Sequence, residues 1–85
     1  MPRMAYSQPT MNDQSRPRLA NRLRVARAER NLSQTQLADA IGVSRQTISS
    51  VETGQYGPSA LLALRIAREL DLPMTDLFWI EGDRP

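Results

Sequence analysis

Gln34-Thr35-Gln36-Leu37-Ala38-Asp39-Ala40-Ile41-Gly42-Val43-Ser44-Arg45-Gln46-Thr47-Ile48-Ser49-Ser50-Val51-Glu52-Thr53 divides into two short helices about a single glycine. Ser33 precedes the run as an N-cap, and Gln36 follows three residues later, the spacing of a capping box. Leu37, Ala38 and Ile41 fall on one face and give the first helix an apolar stripe. Ala38 is small where a second helix must cross closely. Gly42 stops the helix, because glycine takes the left-handed C′ conformation without strain. Val43 is the apolar residue of the turn, and Ser44 caps a second helix that starts at Arg45. Ile48 and Val51, three apart, return that helix to the core. Arg45, Gln46, Thr47, Ser49 and Ser50 are left facing outward, all able to hydrogen-bond.

The 85-residue length allows one small domain with a core close to the minimum that folds alone. Cysteine and histidine are both absent, which removes disulfides, thiolate metal sites, the commonest neutral metal ligand and the commonest general base. No metal and no cofactor is implied. Arg65 and Arg68 interrupt the most apolar stretch, Ala60 to Leu70, so no membrane span is expected. The first twelve residues lack the apolar segment of a secretory signal. A soluble, cytoplasmic protein is the expectation.

The net charge of +2 hides an asymmetry. Residues 1–30 carry Arg3, Arg16, Arg18, Arg22, Arg24, Arg27 and Arg30 against Asp13 and Glu29. Residues 61–85 carry Arg65, Arg68 and Arg84 against Glu69, Asp71, Asp76, Glu81 and Asp83. A basic front and an acidic back suit a nucleic-acid binder that must not adhere indiscriminately. Enzymatic function is not expected: the serines have no histidine base, the carboxylates form no evident pair, and there is no glycine-rich phosphate loop.

Residues 1–16 hold two of the six prolines and three methionines without periodicity, and read as a flexible tail. The alternative is a basic arm in which Arg3, Arg16 or Arg18 reaches phosphates or a minor groove. The domain itself spans 17–80. Its first helix should run from Pro17 or Arg18 to about Arg30, with Leu19, Leu23 and Ala26 as its stripe and Leu32 buried in the following link. Thr53-Gly54-Gln55-Tyr56-Gly57-Pro58-Ser59 is a loop. Ser59 caps a fourth helix, Ala60 to Leu70, whose buried face is Leu62, Ala63, Ile66, Ala67 and Leu70. After Asp71-Leu72-Pro73 a short fifth helix, Met74 to Trp79, is expected, and residues 81–85 form a C-terminal tail. No strand-period segment appears, so the domain is expected to be all-α. Leu61, Leu64, Trp79 and Ile80 remain once the core face is assigned. Trp79 either folds back over the core, or these residues form a dimer surface. A dimer would set two reading helices about 34 Å apart and predict a palindromic double-stranded DNA operator.

From about Leu19 to Ile80 the chain resembles the Xre-type, phage-repressor-like (lambda-repressor-like) helix-turn-helix family. The shared marks are Leu32-Ser33-Gln34 with Leu37-Ala38, then Gly42-Val43-Ser44-Arg45-Gln46-Thr47-Ile48-Ser49, Glu52-Thr53-Gly54, Pro58-Ser59 and Asp76-Leu77-Phe78. The resemblance implies five helices with the third in the major groove. It places Arg45, Gln46 and Ser50 at base-reading positions, and Ser33, Gln34, Ser44, Thr47, Thr53, Gln55 and Tyr56 at phosphate-contacting ones. Tyr56 could equally stack on its own loop. It also implies that Arg27 and Glu52 form a structural ion pair between the first and third helices. Two departures stand out. Thr53-Gly54-Gln55 replaces the Asn-Gly-Lys often found there, which weakens a phosphate clamp, and Ser50 is shorter than the lysine or glutamine often at that position.

The chemistry agrees with these assignments. Arginine can bond guanine O6 and N7 together, and glutamine adenine N6 and N7, each worth about 1–3 kcal/mol of discrimination. Gln34 lies at a helix N-terminus, where free N–H groups and the helix dipole suit a phosphate. The function implied is a sequence-specific transcriptional regulator, a repressor occluding a promoter. The alternatives are an antitoxin or restriction-control component of the same fold, or a protein-interaction adaptor that no longer reads DNA.

Overall fold

Serine oxygens start three of the helices. Ser33 Oγ accepts from Gln36 N at 3.0 Å to open α2 (Gln34–Ile41), and Gln36 Oε1 accepts in return from Ser33 N at 2.8 Å. Ser44 Oγ accepts from Thr47 N at 3.1 Å to open α3 (Arg45–Glu52). Ser59 Oγ accepts from Leu62 N at 3.0 Å to open α4 (Ala60–Leu70). Between α2 and α3, Gly42 sits at φ 77°, the left-handed conformation that costs a glycine nothing. The structure is a computed structural model and describes residues 18–55 and 57–82. The expected tail over 1–16, the start at Pro17, Tyr56 and the end of the C-terminal tail lie outside the described residues.

The five expected helices are present, with α1 (Leu23–Glu29) and α5 (Met74–Leu77) completing the set. Their apolar faces meet in one core: Leu23 and Ala26 from α1, Leu37, Ala38 and Ile41 from α2, Ile48 and Val51 from α3, Ala63, Ile66, Ala67 and Leu70 from α4, and Leu77 and Phe78. Ala38 is 1% exposed within this core, where a larger side chain would displace its packed neighbours. Leu32, Val43 and Leu62 pack half-buried around this centre, so Leu62 borders the core rather than joining it.

A two-stranded ribbon corrects the reading that no strand is present. β1 (Leu19–Asn21) pairs antiparallel with β2 (Phe78–Ile80) in the register Leu19↔Ile80, Ala20↔Trp79, Asn21↔Phe78. Arg22 N to Leu77 O at 3.0 Å and Glu81 N to Arg18 O at 2.7 Å extend the ladder at either end. The first helix therefore begins at Leu23, not at Pro17 or Arg18, and Leu19 leaves its expected stripe to stand half exposed on the ribbon. Asn21 enforces the break, since its Oδ1 accepts from Leu23 N at 2.9 Å and satisfies a first-turn donor from outside the helix. α5 stops at Leu77 rather than Trp79, because Phe78-Trp79-Ile80 are aromatic and β-branched residues that favour a pleated, paired backbone.

Side chains from elsewhere cap the helix C-termini. Arg30 Nε donates to Leu70 O at 2.7 Å, closing α4. Arg65 donates to Ile41 O, closing α2. Asn21 Nδ2 donates to Val51 O at 3.0 Å near the end of α3. Cationic donors at the negative end of a helix dipole are favourable, so these bonds fix the helices to one another as well as satisfying carbonyls. Among the described residues no helix is long and apolar enough to cross a membrane. Replacing Asn21 by alanine removes a bond to α1 and another to α3. At about 1 kcal/mol per hydrogen bond, urea denaturation should register a loss of about 2 kcal/mol, with an unchanged helical circular dichroism spectrum.

Candidate nucleic-acid interface

α3 has two faces of opposite character. Ile48 and Val51 are 0% and 1% exposed, while Arg45 and Gln46 stand exposed on the other side of the first turn. Thr47, Ser49 and Ser50 are half-buried between the two. At the helix start the Ser44 and Thr47 hydroxyls lie 2.9 Å apart and bond to each other.

Beneath this surface one carboxylate gathers three helices. Arg27 Nε and Nη2 donate to Glu52 Oε2 and Oε1 at 2.6 and 3.2 Å, and Arg27 Nη1 donates to Leu32 O at 2.7 Å. Gln34 Nε2 donates to Glu52 Oε1 at 3.0 Å, and Arg45 Nη1 donates to Gln34 Oε1 at 3.0 Å. The Glu52 side chain is fully enclosed and that of Arg27 is 14% exposed. Burial alone would push the Glu52 carboxyl up, but hydrogen bonds from Arg27 and Gln34, with the charges of Arg27 and Arg24, outweigh it. The carboxyl is held below its ordinary value of 4.5.

A second chain of polar contacts runs along the exposed face. Gln46 Nε2 donates to Ser50 Oγ at 3.2 Å, and Ser50 Oγ donates to Gln55 Oε1 at 3.3 Å. Thr53 Oγ1 turns back to Ser49 O at 3.0 Å. The structure thus brings Arg27, Gln34, Arg45 and Glu52 into one network, and Gln46, Ser50 and Gln55 into another. Ser33 is engaged in its capping box, and Tyr56 is outside the described residues.

On the far side, Leu61 and Leu64 are 66% and 54% exposed and line one hollow with Arg65 and Arg68. Ile80 is half exposed and Trp79 half-buried on β2, and neither lines that hollow. Arg24 joins the site without a mark of its own in the sequence beyond its charge. Its side chain is 73% exposed with Nε 4.0 Å from Glu52 Oε1, the oxygen that Gln34 also reaches, so it adds a solvent-facing cation at the edge of this network. The signal was its position three residues before Arg27, which places both on one helical face.

Two outcomes follow from the Glu52 site. Arg27→Met leaves an enclosed carboxylate with only Gln34 and Arg24 nearby, and should cost about 3 kcal/mol by denaturant titration, the lower end of the range for a broken buried pair. Because the folded carboxyl titrates below the unfolded one, its stabilisation is complete above about pH 4.5 and is lost as pH falls through the lower folded value. Thermal unfolding between pH 7 and 3 should show this loss in the parent chain and lack that component in Glu52→Gln.

Known proteins resemble this chain in sequence and fold. The helix-turn-helix family profile matches residues 23–77. The uncharacterized HTH-type transcriptional regulator YgzD of Bacillus subtilis (strain 168) is 41% identical over 65 residues, covering 76% of this chain and 98% of that protein. The uncharacterized HTH-type transcriptional regulator MJ0272 of Methanocaldococcus jannaschii is 45% identical over 65 residues, with the same coverage of 76% and 98%. Among solved structures, the restriction-modification controller protein C.AhdI of Aeromonas hydrophila superposes with a TM-score of 0.61 at 35% identity, over 64% of this chain and 82% of that one. With capped α2 and α3 joined at a left-handed glycine and the match extending from α1 to α5, the chain belongs to the Xre-type, lambda-repressor-like helix-turn-helix family.

Proposed function

We propose that this protein is a sequence-specific double-stranded DNA-binding transcriptional regulator that reads the major groove with α3. The observation that carries this is the exposure of Arg45 and Gln46 on the first turn of a helix whose opposite face is anchored by Ile48 and Val51. A rigid helix with side chains capable of bidentate pairing at its leading end can bring them to base edges without first ordering itself. Arg45 is suited to guanine and Gln46 to adenine. Ser33, Gln34, Ser44, Thr47 and Thr53 supply phosphate contacts around them. A domain this small holding a promoter site excludes polymerase by occupancy, which makes repression the simplest outcome of binding.

A homodimer on DNA is part of the proposal. Leu61 and Leu64 are exposed in a hollow on α4 that Arg65 and Arg68 complete, and covering it with a second copy would give a palindromic operator. The likeness to a restriction-modification controller favours control of a restriction system as the second reading. Both readings use the same DNA surface and differ in the gene controlled.

Selection of bound sites from random DNA at two salt concentrations tests the reading. A palindrome should emerge, and log affinity should fall linearly with log salt, with a slope of about −0.9 for each phosphate neutralised. Arg45→Ala and Gln46→Ala should each flatten preference at one base pair per half-site. Salt-dependent binding without preference would overturn sequence reading in favour of a purely backbone-bound role. In sedimentation experiments Leu64→Asp should shift the protein toward monomer and weaken palindrome binding while leaving the exposed helix folded.

A further inference from the structure

We propose that Ser50 and Gln55 are positioning residues for Gln46, fixing which way its carboxamide faces and therefore the orientation of the base pair it reads. The inference rests on α3 being the DNA-reading helix. Gln46 and Ser50 are four residues apart and so lie one above the other on the same helical face. Ser50 is half-buried between the exposed Gln46 and Gln55, recessed from the surface that a base edge would touch.

The hydroxyl has one proton, and that proton is directed at Gln55 Oε1, 3.3 Å away. What Ser50 Oγ offers Gln46 is a lone pair, and it accepts from Gln46 Nε2 at 3.2 Å. With Gln55 presenting its oxygen, a turned Gln46 carboxamide would set Oε1 against that lone pair, so the orientation of Gln55 decides, through the Ser50 hydroxyl, which of the two Gln46 orientations is satisfied. In the selected orientation Gln46 keeps Oε1 and its second N–H free, the acceptor and donor that adenine N6 and N7 require. Exchanging the two would present the pair in mirrored order, which suits the base pair in the opposite sense.

The backbone of Gln55 is itself held in place. Its backbone N–H donates to Ser50 O at 3.0 Å, and the preceding Gly54 N donates to Val51 O at 3.2 Å with Gly54 at φ 78°. The left-handed glycine folds the chain back at the end of α3 and returns Gln55 to Ser50. A turn after the reading helix is thereby connected to a side chain on its first turn.

The test is a double-mutant cycle on the site that the full-length protein selects from random DNA. Affinities are measured for that site and for its single-base variants at the position where Gln46→Ala loses preference. Ser50→Ala and Gln55→Ala should each reduce preference at that same base pair by about two- to twelvefold, the range for releasing one ordered side chain. Neither should add a further loss in a Gln46→Ala background, and Ser50→Thr, which keeps the hydroxyl, should retain the parental preference. The proposal is overturned if Ser50→Ala changes preference at a different base pair, costs the same with and without Gln46, or weakens all sites uniformly. Unchanged preference in both alanine variants overturns it equally, with DNA reading by α3 left standing. A parent chain that selects no site would defeat the DNA-reading function and this proposal with it.

Discussion

The enclosed carboxylate of Glu52 is the constraint around which the domain is arranged. An anion removed from water must be met by donors from several directions, and here they reach Glu52 of α3 from the two helices packed beside it: Arg27 on α1 and Gln34 at the start of α2. A buried ion pair adds little net stability over an apolar pair of the same shape. It does penalise arrangements in which the helices are displaced, because any displacement leaves the charge uncompensated. The angle at which α3 leaves the domain is set this way, and Arg45 is bonded to the same network through Gln34.

Local chemistry was legible in the sequence and long-range pairing was not. Ser33 with Gln36, Ser44, Ser59 and Gly42 each act within a few residues of themselves, so their spacing alone specifies where helices start and stop. The ribbon escaped because each strand has only three residues, too few to show alternation, and because its partners come from opposite ends of the domain. Leu19 fits a helical stripe as well as a strand, since an apolar residue four before Leu23 satisfies either pattern. Asn21 was invisible for the same reason: its worth lies in a carbonyl of α3 that is distant in sequence.

The candidate site divides along a similar line. Ile48, Val51 and the exposure of Arg45 and Gln46 follow from helical periodicity. The partners of those exposed groups do not, because they depend on side-chain reach across helix boundaries. The arginines illustrate this best. Counted along the sequence they form a basic front, yet Arg27 and Arg30 turn inward to a carboxylate and to backbone carbonyls, as does Arg65 from the supposedly acidic back. A guanidinium that closes a helix keeps its charge but commits its donors to the fold, so fewer basic side chains can contact a polyanion directly than composition implies.

The ribbon between Leu19–Asn21 and Phe78–Ile80 has a topological consequence. Arg18 and Glu81 are hydrogen-bonded neighbours, so the described chain is already a nearly closed ring in space. Chain order is then nearly incidental to this architecture. A few residues bridging 18 and 81 would complete the circle, and new ends opened elsewhere would leave every helix contact in place. Whatever is joined to either side of the domain emerges from the same point.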